Sequence, residues 1–239
     1  MAGLHHGRPC PRRAGRRGEP RKISDFAAEA SAPMWMPDSR RLIVSVEQDD
    51  RTQLVLTDRD GAWPCRPCHR AGGDAWDAQP APDGRMLAFT WRPFDDLNRH
   101  DIRVVDVASG DVRPLTGAAQ QRDWSPRWSP DGGTLAFLSE RSGFDEVWLM
   151  DGNGAHVRRL THLEQDITDI AWSPDGMRLA CVVNRGGAFE LTLVDVHDEA
   201  ARTLRGGRGF HSRPAGRRTA RSSRWSTKTR SRRLISAWT

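Results

Sequence analysis

The feature that most constrains this chain is a dipeptide that keeps returning. Pro-Asp occurs at Pro37-Asp38, Pro82-Asp83, Pro130-Asp131 and Pro174-Asp175, at intervals of 45, 48 and 44 residues, and Gly84, Gly132 and Gly176 follow three of the four. A period of this length marks a module that cannot bury its own apolar faces and must stack on its neighbours. Each turn opens the same sequence of events. An apolar strand comes first, at Leu42-Ile43-Val44, Leu87-Ala88-Phe89, Leu135-Ala136-Phe137 and Leu179-Ala180-Cys181. After a polar hairpin a second strand runs through 53–56, 102–105, 147–150 and 191–194 and ends at Asp58, Asp106, Asp151 or Asp195. Asp60-Gly61, Ser109-Gly110 and Asn153-Gly154 then supply turn residues that tolerate positive φ. A third strand follows, carrying Arg-Pro-Leu-Thr at 113–116, Arg-Leu-Thr at 159–161 and Arg-Thr-Leu at 202–204.

With the link back to the next turn, the unit holds four short strands, which is the pattern of a propeller blade. The expected fold is an all-β propeller of four-stranded blades, with about four recognisable blades over 23–214 and an open or incomplete circuit. Trp35, Trp128 and Trp172 precede their turns at the same position, and each is expected to fill the gap between adjacent blades. Asp38, Asp83, Asp131 and Asp175 are read as turn formers whose carboxylates satisfy local amides, in preference to a ladder of calcium ligands.

Trp-Ser-Pro-Asp-Gly at 128–132 and 172–176, with Ser139-Glu-Arg-Ser-Gly143 and Trp148-Leu-Met-Asp-Gly152, resembles the TolB-type propeller repeat. Gly73-Asp-Ala-Trp-Asp77, Asp95-Asp-Leu-Asn-Arg99 and Ile102-Arg-Val-Val-Asp-Val107 look most like the N-terminal propeller of prolyl oligopeptidase family serine peptidases. The resemblance covers residues 30 to 214. It implies a propeller that packs on an α/β-hydrolase domain, restricts access to that domain's Ser/Asp/His triad, and meets a peptide or protein partner. No Gly-x-Ser-x-Gly nucleophile elbow occurs in the 239 residues. This chain is therefore expected to be the non-catalytic propeller of such a peptidase, with a TolB-like interaction scaffold as the alternative.

Two local features compete for a functional role. Cys65-Arg-Pro-Cys68-His69 matches the pattern of c-type haem attachment, but Cys68 aligns with the core Leu115 of the next module. Haem, a thiol redox pair and zinc are all set aside, and no cofactor is expected. The hairpin of the second module is enlarged, and it carries Asp95, Asp96, Arg99 and His100. Insertions in regular repeats are where binding concentrates, so this loop is the candidate for a ligand or partner contact.

The charge of +6 misleads until it is divided along the chain. Residues 1–22 hold seven basic groups and one acid, 200–239 hold twelve basic groups and no acid, and 23–199 hold 18 basic against 30 acidic. The repeat region is acidic, which argues against nucleic acid as the partner. The ends have compositions expected to stay disordered: a basic segment at 1–22 and a basic tail at 215–239. Gly216-Arg-Arg-Thr-Ala220 stands where a fifth Trp-Ser-Pro-Asp-Gly is due. TGG TCG CCG GAC GGC, read one base later, encodes Gly-Arg-Arg-Thr-Ala, so the tail is read as out-of-frame translation beginning at Ala215/Gly216. No apolar run approaches the roughly 20 residues of a spanning helix, and the N-terminus lacks the apolar core of a secretory signal. A cytoplasmic address without membrane contact is the resulting expectation.

Overall fold

The computed structural model describes residues 22–23, 28–60, 66–67, 72–117 and 122–204. The expectations for 1–22 (Lys22 apart), for 215–239, and for Cys65, Cys68 and His69 fall outside them. The described residues form four antiparallel sheets of four strands, with no helix among them. Blade 1 comprises β1 (Glu29–Trp35), β2 (Arg41–Gln48), β3 (Arg51–Asp58) and β4 (Arg66–Pro67). Blade 2 comprises β5 (Gly73–Pro80), β6 (Met86–Pro93), β7 (Asp101–Asp106) and β8 (Val112–Pro114). Blade 3 has β9 (Asp123–Trp128), β10 (Thr134–Ser139), β11 (Glu146–Asp151) and β12 (Arg158–Arg159). Blade 4 has β13 (Asp166–Trp172), β14 (Arg178–Arg185), β15 (Ala188–Asp195) and β16 (Ala201–Leu204). Strands are neighbours in chain order within every sheet. This is the expected all-β propeller of four blades, and it is open.

Alternation along the second strand of each blade produces the stacking. Successive side chains point to opposite faces, so Leu87 and Phe89 face backward while Ala88, between them, faces forward. Leu87 and Phe89 join Ile43, Leu54 and Leu56 of blade 1 in one buried cluster. Ala88, Ile102 and Val104 meet Trp128, Leu135 and Phe137 of blade 3 in a second. Ala136, Leu138, Val147 and Leu149 meet Ile170, Leu179, Cys181 and Val194 of blade 4 in a third. At the second and third junctions a small forward residue, Ala88 or Ala136, receives large backward ones, whereas at the first the forward residue is Ile43. None of these clusters joins blade 1 to blade 4, and the backward face of blade 1 holds only a small group, Val44, Val46 and Val55, with Ala28 against it.

The pre-turn tryptophans follow the same polarity. Trp128 pairs with Leu135 and Trp172 with Leu179, so both rings face the preceding blade. Trp128 is 7% exposed, and Trp172 packs on blade 3 while its indole Nε1 donates to the carbonyl of Arg127 at 2.9 Å. Trp35 corrects the expectation. It pairs with Leu42 and faces backward like the others, but no described blade precedes it, and it stands 54% exposed.

The innermost strand of every blade carries a register irregularity, between Ser31 and Met34, Trp76 and Gln79, Trp124 and Arg127, and Ile167 and Asp169. Ala32, Asp77 and Ser125 sit inside three of them with positive φ. Such a bulge shifts the side-chain phase by one residue. That explains how Ile167 and Ile170, three apart, reach the same cluster.

Candidate functional site

The four turn aspartates are built alike. Asp38 Oδ1 accepts the amides of Arg40 and Arg41, each at 2.9 Å, and Asp83 Oδ1 accepts that of Arg85 at 2.9 Å. In the two Trp-Ser-Pro-Asp-Gly copies the serine completes a network. Ser129 donates its hydroxyl to Asp131 at 2.5 Å and accepts the Thr134 amide at 3.0 Å, and Asp131 accepts the Gly133 amide at 3.0 Å. Ser173, Asp175, Arg178 and Met177 repeat the arrangement. The glycines after Asp83, Asp131 and Asp175 hold φ between +69° and +74°, a region that favours glycine, and Ser39 takes the same place after Asp38 at φ +54°.

These contacts favour the ionised carboxylates. The Ser129 and Ser173 hydroxyls, then the turn amides, hold Asp131 and Asp175 below the ordinary aspartate range, and the Arg40 guanidinium does the same for Asp58. The unfolded chain therefore binds more protons than the folded one just below the ordinary range, and stability present above it is lost as pH falls. Asp145 works in the opposite sense, because burial raises its pKa. With five depressed carboxylates among the described residues, Asp38 and Asp106 being the other two, against one raised, the thermal midpoint is expected to drop between about pH 5 and pH 3. Asp175→Asn should flatten that slope in calorimetric scans, and an unchanged slope would show that the turn carboxylate is not part of it.

The enlarged hairpin between β6 and β7 divides in two. Residues 94–98 are exposed, with Phe94 and Leu97 presented to solvent alongside Asp95 and Asp96. Asp96 Oδ1 accepts the Asn98 amide at 3.0 Å, and Arg51 of blade 1 lies 4.6 Å from the Phe94 ring centroid. Arg99 and His100 turn inward. Arg99 grips the buried Asp101 with two bonds, of 3.2 and 2.8 Å, and His100 meets Trp76 edge to face at 5.2 Å. The structure thus keeps the two carboxylates outward and uses the two basic residues as supports. Behind the loop, Arg103 stacks on Trp91 at 3.3 Å, and burial lowers its pKa. An exposed loop with two acids and two apolar side chains suits contact with a polypeptide surface.

A row of buried acids went unnoticed in the sequence. Asp74 is held by Arg92 at 2.6 Å and by the Thr52 amide at 3.0 Å. Asp123 is held by Arg141 at 2.7 Å. Glu146 accepts from Arg159 at 3.1 Å, from the Glu164 amide at 2.9 Å and from the Thr161 hydroxyl. The signal was available, since Asp74 to Arg92 and Asp123 to Arg141 share a separation of 18 residues. Cys181, the one cysteine among the described residues, is buried with its thiol pushed up to about 12, chiefly by desolvation, which makes it a core residue and a poor nucleophile.

The sequence pattern of the TolB beta propeller domain matches residues 79–217. The chain belongs to the TolB β-propeller family. The uncharacterized peptidase YuxL of Bacillus subtilis is 34% identical over 96 residues, covering 38% of this TolB-family chain and 14% of that protein. Among solved structures, TolB from Acinetobacter baumannii superposes with a TM-score of 0.64 at 20% identity, over 78% of this chain and 46% of that one. A puromycin hydrolase superposes with a TM-score of 0.68 at 17% identity, over 79% of this chain and 33% of that one. This propeller chain spans less than half the length of each of these proteins.

Proposed function

We propose that this chain is the propeller portion of a prolyl oligopeptidase-type serine peptidase of the cytoplasm, where it narrows access to an α/β-hydrolase domain and packs against it. The observation that carries the reading is the 34% identity to a peptidase over 96 residues, in a chain whose blades belong to the TolB family. The hydrolase lies outside these 239 residues, which contain no Gly-x-Ser-x-Gly elbow. The outward carboxylates of Asp95 and Asp96, with Phe94 and Leu97, are the proposed contact for a peptide or for the partner domain. Residues 215–239 are read as out-of-frame translation.

Sequencing the gene across codons 214–220 tests this. The +1 frame is expected to continue with further repeats and then a Gly-x-Ser-x-Gly elbow, and the purified chain is expected to release no product from acyl-peptide chromogenic substrates. A frame that closes at once, or hydrolysis by the chain itself, overturns the reading. The first outcome transfers support to a TolB-like scaffold, which the likeness to Acinetobacter baumannii TolB favours.

A further inference from the structure

One side-chain amide of this chain is placed to react with its own backbone. Asparagine occurs three times, at Asn98, Asn153 and Asn184, and only Asn153 is followed by glycine. Asn153, exposed, and Gly154 lie in the hairpin between β11 and β12 of blade 3. An asparagine side chain can close a succinimide ring with the amide nitrogen of the next residue, and a glycine there puts no Cβ in the way. Gly154 holds φ +91°, and a Cβ on it would stand 3.1 Å from the Leu115 carbonyl oxygen. The turn therefore requires the residue that obstructs ring closure least.

Both partners in that reaction are polarised. The Ala155 amide donates to Asn153 Oδ1 at 3.0 Å, which draws electrons from Cγ and stands ready for the oxyanion that forms when Cγ is attacked. From blade 2, Arg113 donates to the Asn153 carbonyl at 3.3 Å and to the Gly152 carbonyl at 3.2 Å. A guanidinium on the Asn153 carbonyl makes the Gly154 N–H of the same peptide unit more acidic. That N–H donates to the Asp151 carbonyl at 2.8 Å, so its proton leaves only as this bond opens. The Asp-Gly turns of the repeat lack such activation. Hydroxyl and amide contacts hold Asp131 and Asp175 ionised, and a carboxylate is a poor electrophile.

We propose that Asn153 is a site of spontaneous deamidation, through a succinimide formed with Gly154. Solvent base removes the Gly154 amide proton, the nitrogen attacks Cγ, and the Cγ–Nδ2 bond breaks as ammonia leaves with a proton from water. A second water opens the ring. Attack at Cγ breaks its new bond to nitrogen and leaves aspartate. Attack at the α-carbonyl breaks the original peptide bond, routes the chain through Cγ and leaves isoaspartate with a free α-carboxylate. That carboxylate forms from the carbonyl that Arg113 already holds, so the guanidinium becomes its ion-pair partner. The net change is one water taken up and one ammonia released, with no oxidant or cofactor. The inference rests on this hairpin and its arginine and is independent of the peptidase relation.

The test is to age the full chain at neutral and mildly alkaline pH and to follow its tryptic peptide 142–158 by mass spectrometry, with fragmentation that separates aspartate from isoaspartate. A synthetic peptide of the same sequence is the unstructured reference, and Asn98 and Asn184 are internal ones. Asn153 is expected to convert to both acids, faster as pH rises, while Asn98 and Asn184 stay amides. Arg113→Met, folded by circular dichroism, should slow conversion by about tenfold, as for loss of one charged hydrogen bond in the transition state. Arg113→Lys, which keeps the charge, should recover part of that rate. Asn153→Gln should stay an amide, because its longer side chain closes the ring poorly. An Asn153 still intact after the synthetic peptide has turned over, conversion seen only in urea, or an equal or higher rate in Arg113→Met overturns the inference.

Discussion

Phe89→Ala is expected to lower the unfolding free energy by about 3–5 kcal/mol in urea titrations. Phe89 is fully buried at the junction of blades 1 and 2, where Ile43, Leu54 and Leu56 close over it from the neighbouring sheet. Truncation removes the transfer energy of the ring and leaves a cavity between two sheets whose strands are pinned by their own hydrogen bonds, so collapse onto the space is incomplete. Leu97→Ala, in the exposed part of the β6–β7 loop, should change stability by less than about 0.5 kcal/mol. Equal effects at the two sites would show that the junction does not carry the stability of the arc.

Arg141→Met should cost about 3–5 kcal/mol by a different route. The substitution keeps much of the side chain's bulk but leaves the Asp123 carboxylate, 1% exposed, without its ion-pair partner. Asp123 Oδ1 already lacks a hydrogen bond, so nothing remains to compensate the charge. The stranded carboxylate has neither solvent nor a second donor to replace the guanidinium. Adding Asp123→Asn should recover much of the loss at neutral pH. Arg92→Met in blade 2 is expected to cost less, because Asp74 keeps the Thr52 amide. Denaturant midpoints of the three variants at neutral pH check the set.

The fold was legible because its punctuation is chemical. Pro-Asp-Gly turns at near-constant intervals and apolar triplets after each one placed β2, β6, β10 and β14 before any coordinates, and the ends of the second runs at Asp58, Asp106, Asp151 and Asp195 agree with β3, β7, β11 and β15. Position in the arc was not legible. Trp35 precedes its Pro-Asp turn as Trp128 and Trp172 do, but it stands exposed where no described blade precedes it. In the β6–β7 loop, sequence position grouped Asp95, Asp96, Arg99 and His100. Tertiary packing then separated them, since a buried carboxylate at Asp101 outcompetes solvent for Arg99. The innermost-strand bulges also escaped notice, because a period-2 reading assigns Ile167 and Ile170 to opposite faces.

Those bulges have a further consequence, for how this molecule meets others. Every sheet has two edges, and an edge strand with free amides is a template on which another chain can add a strand. The inner edges, β1, β5, β9 and β13, are each broken by an irregularity, with Ala32, Asp77 and Ser125 twisted into a conformation that a pairing strand does not follow. The outer edges are two to four residues long, and Pro67 and Pro114 remove a donor from two of them. Strand-on-strand growth of the kind that builds amyloid is thereby blunted on both rims. Contacts made along these rims are left to side chains rather than to backbone pairing.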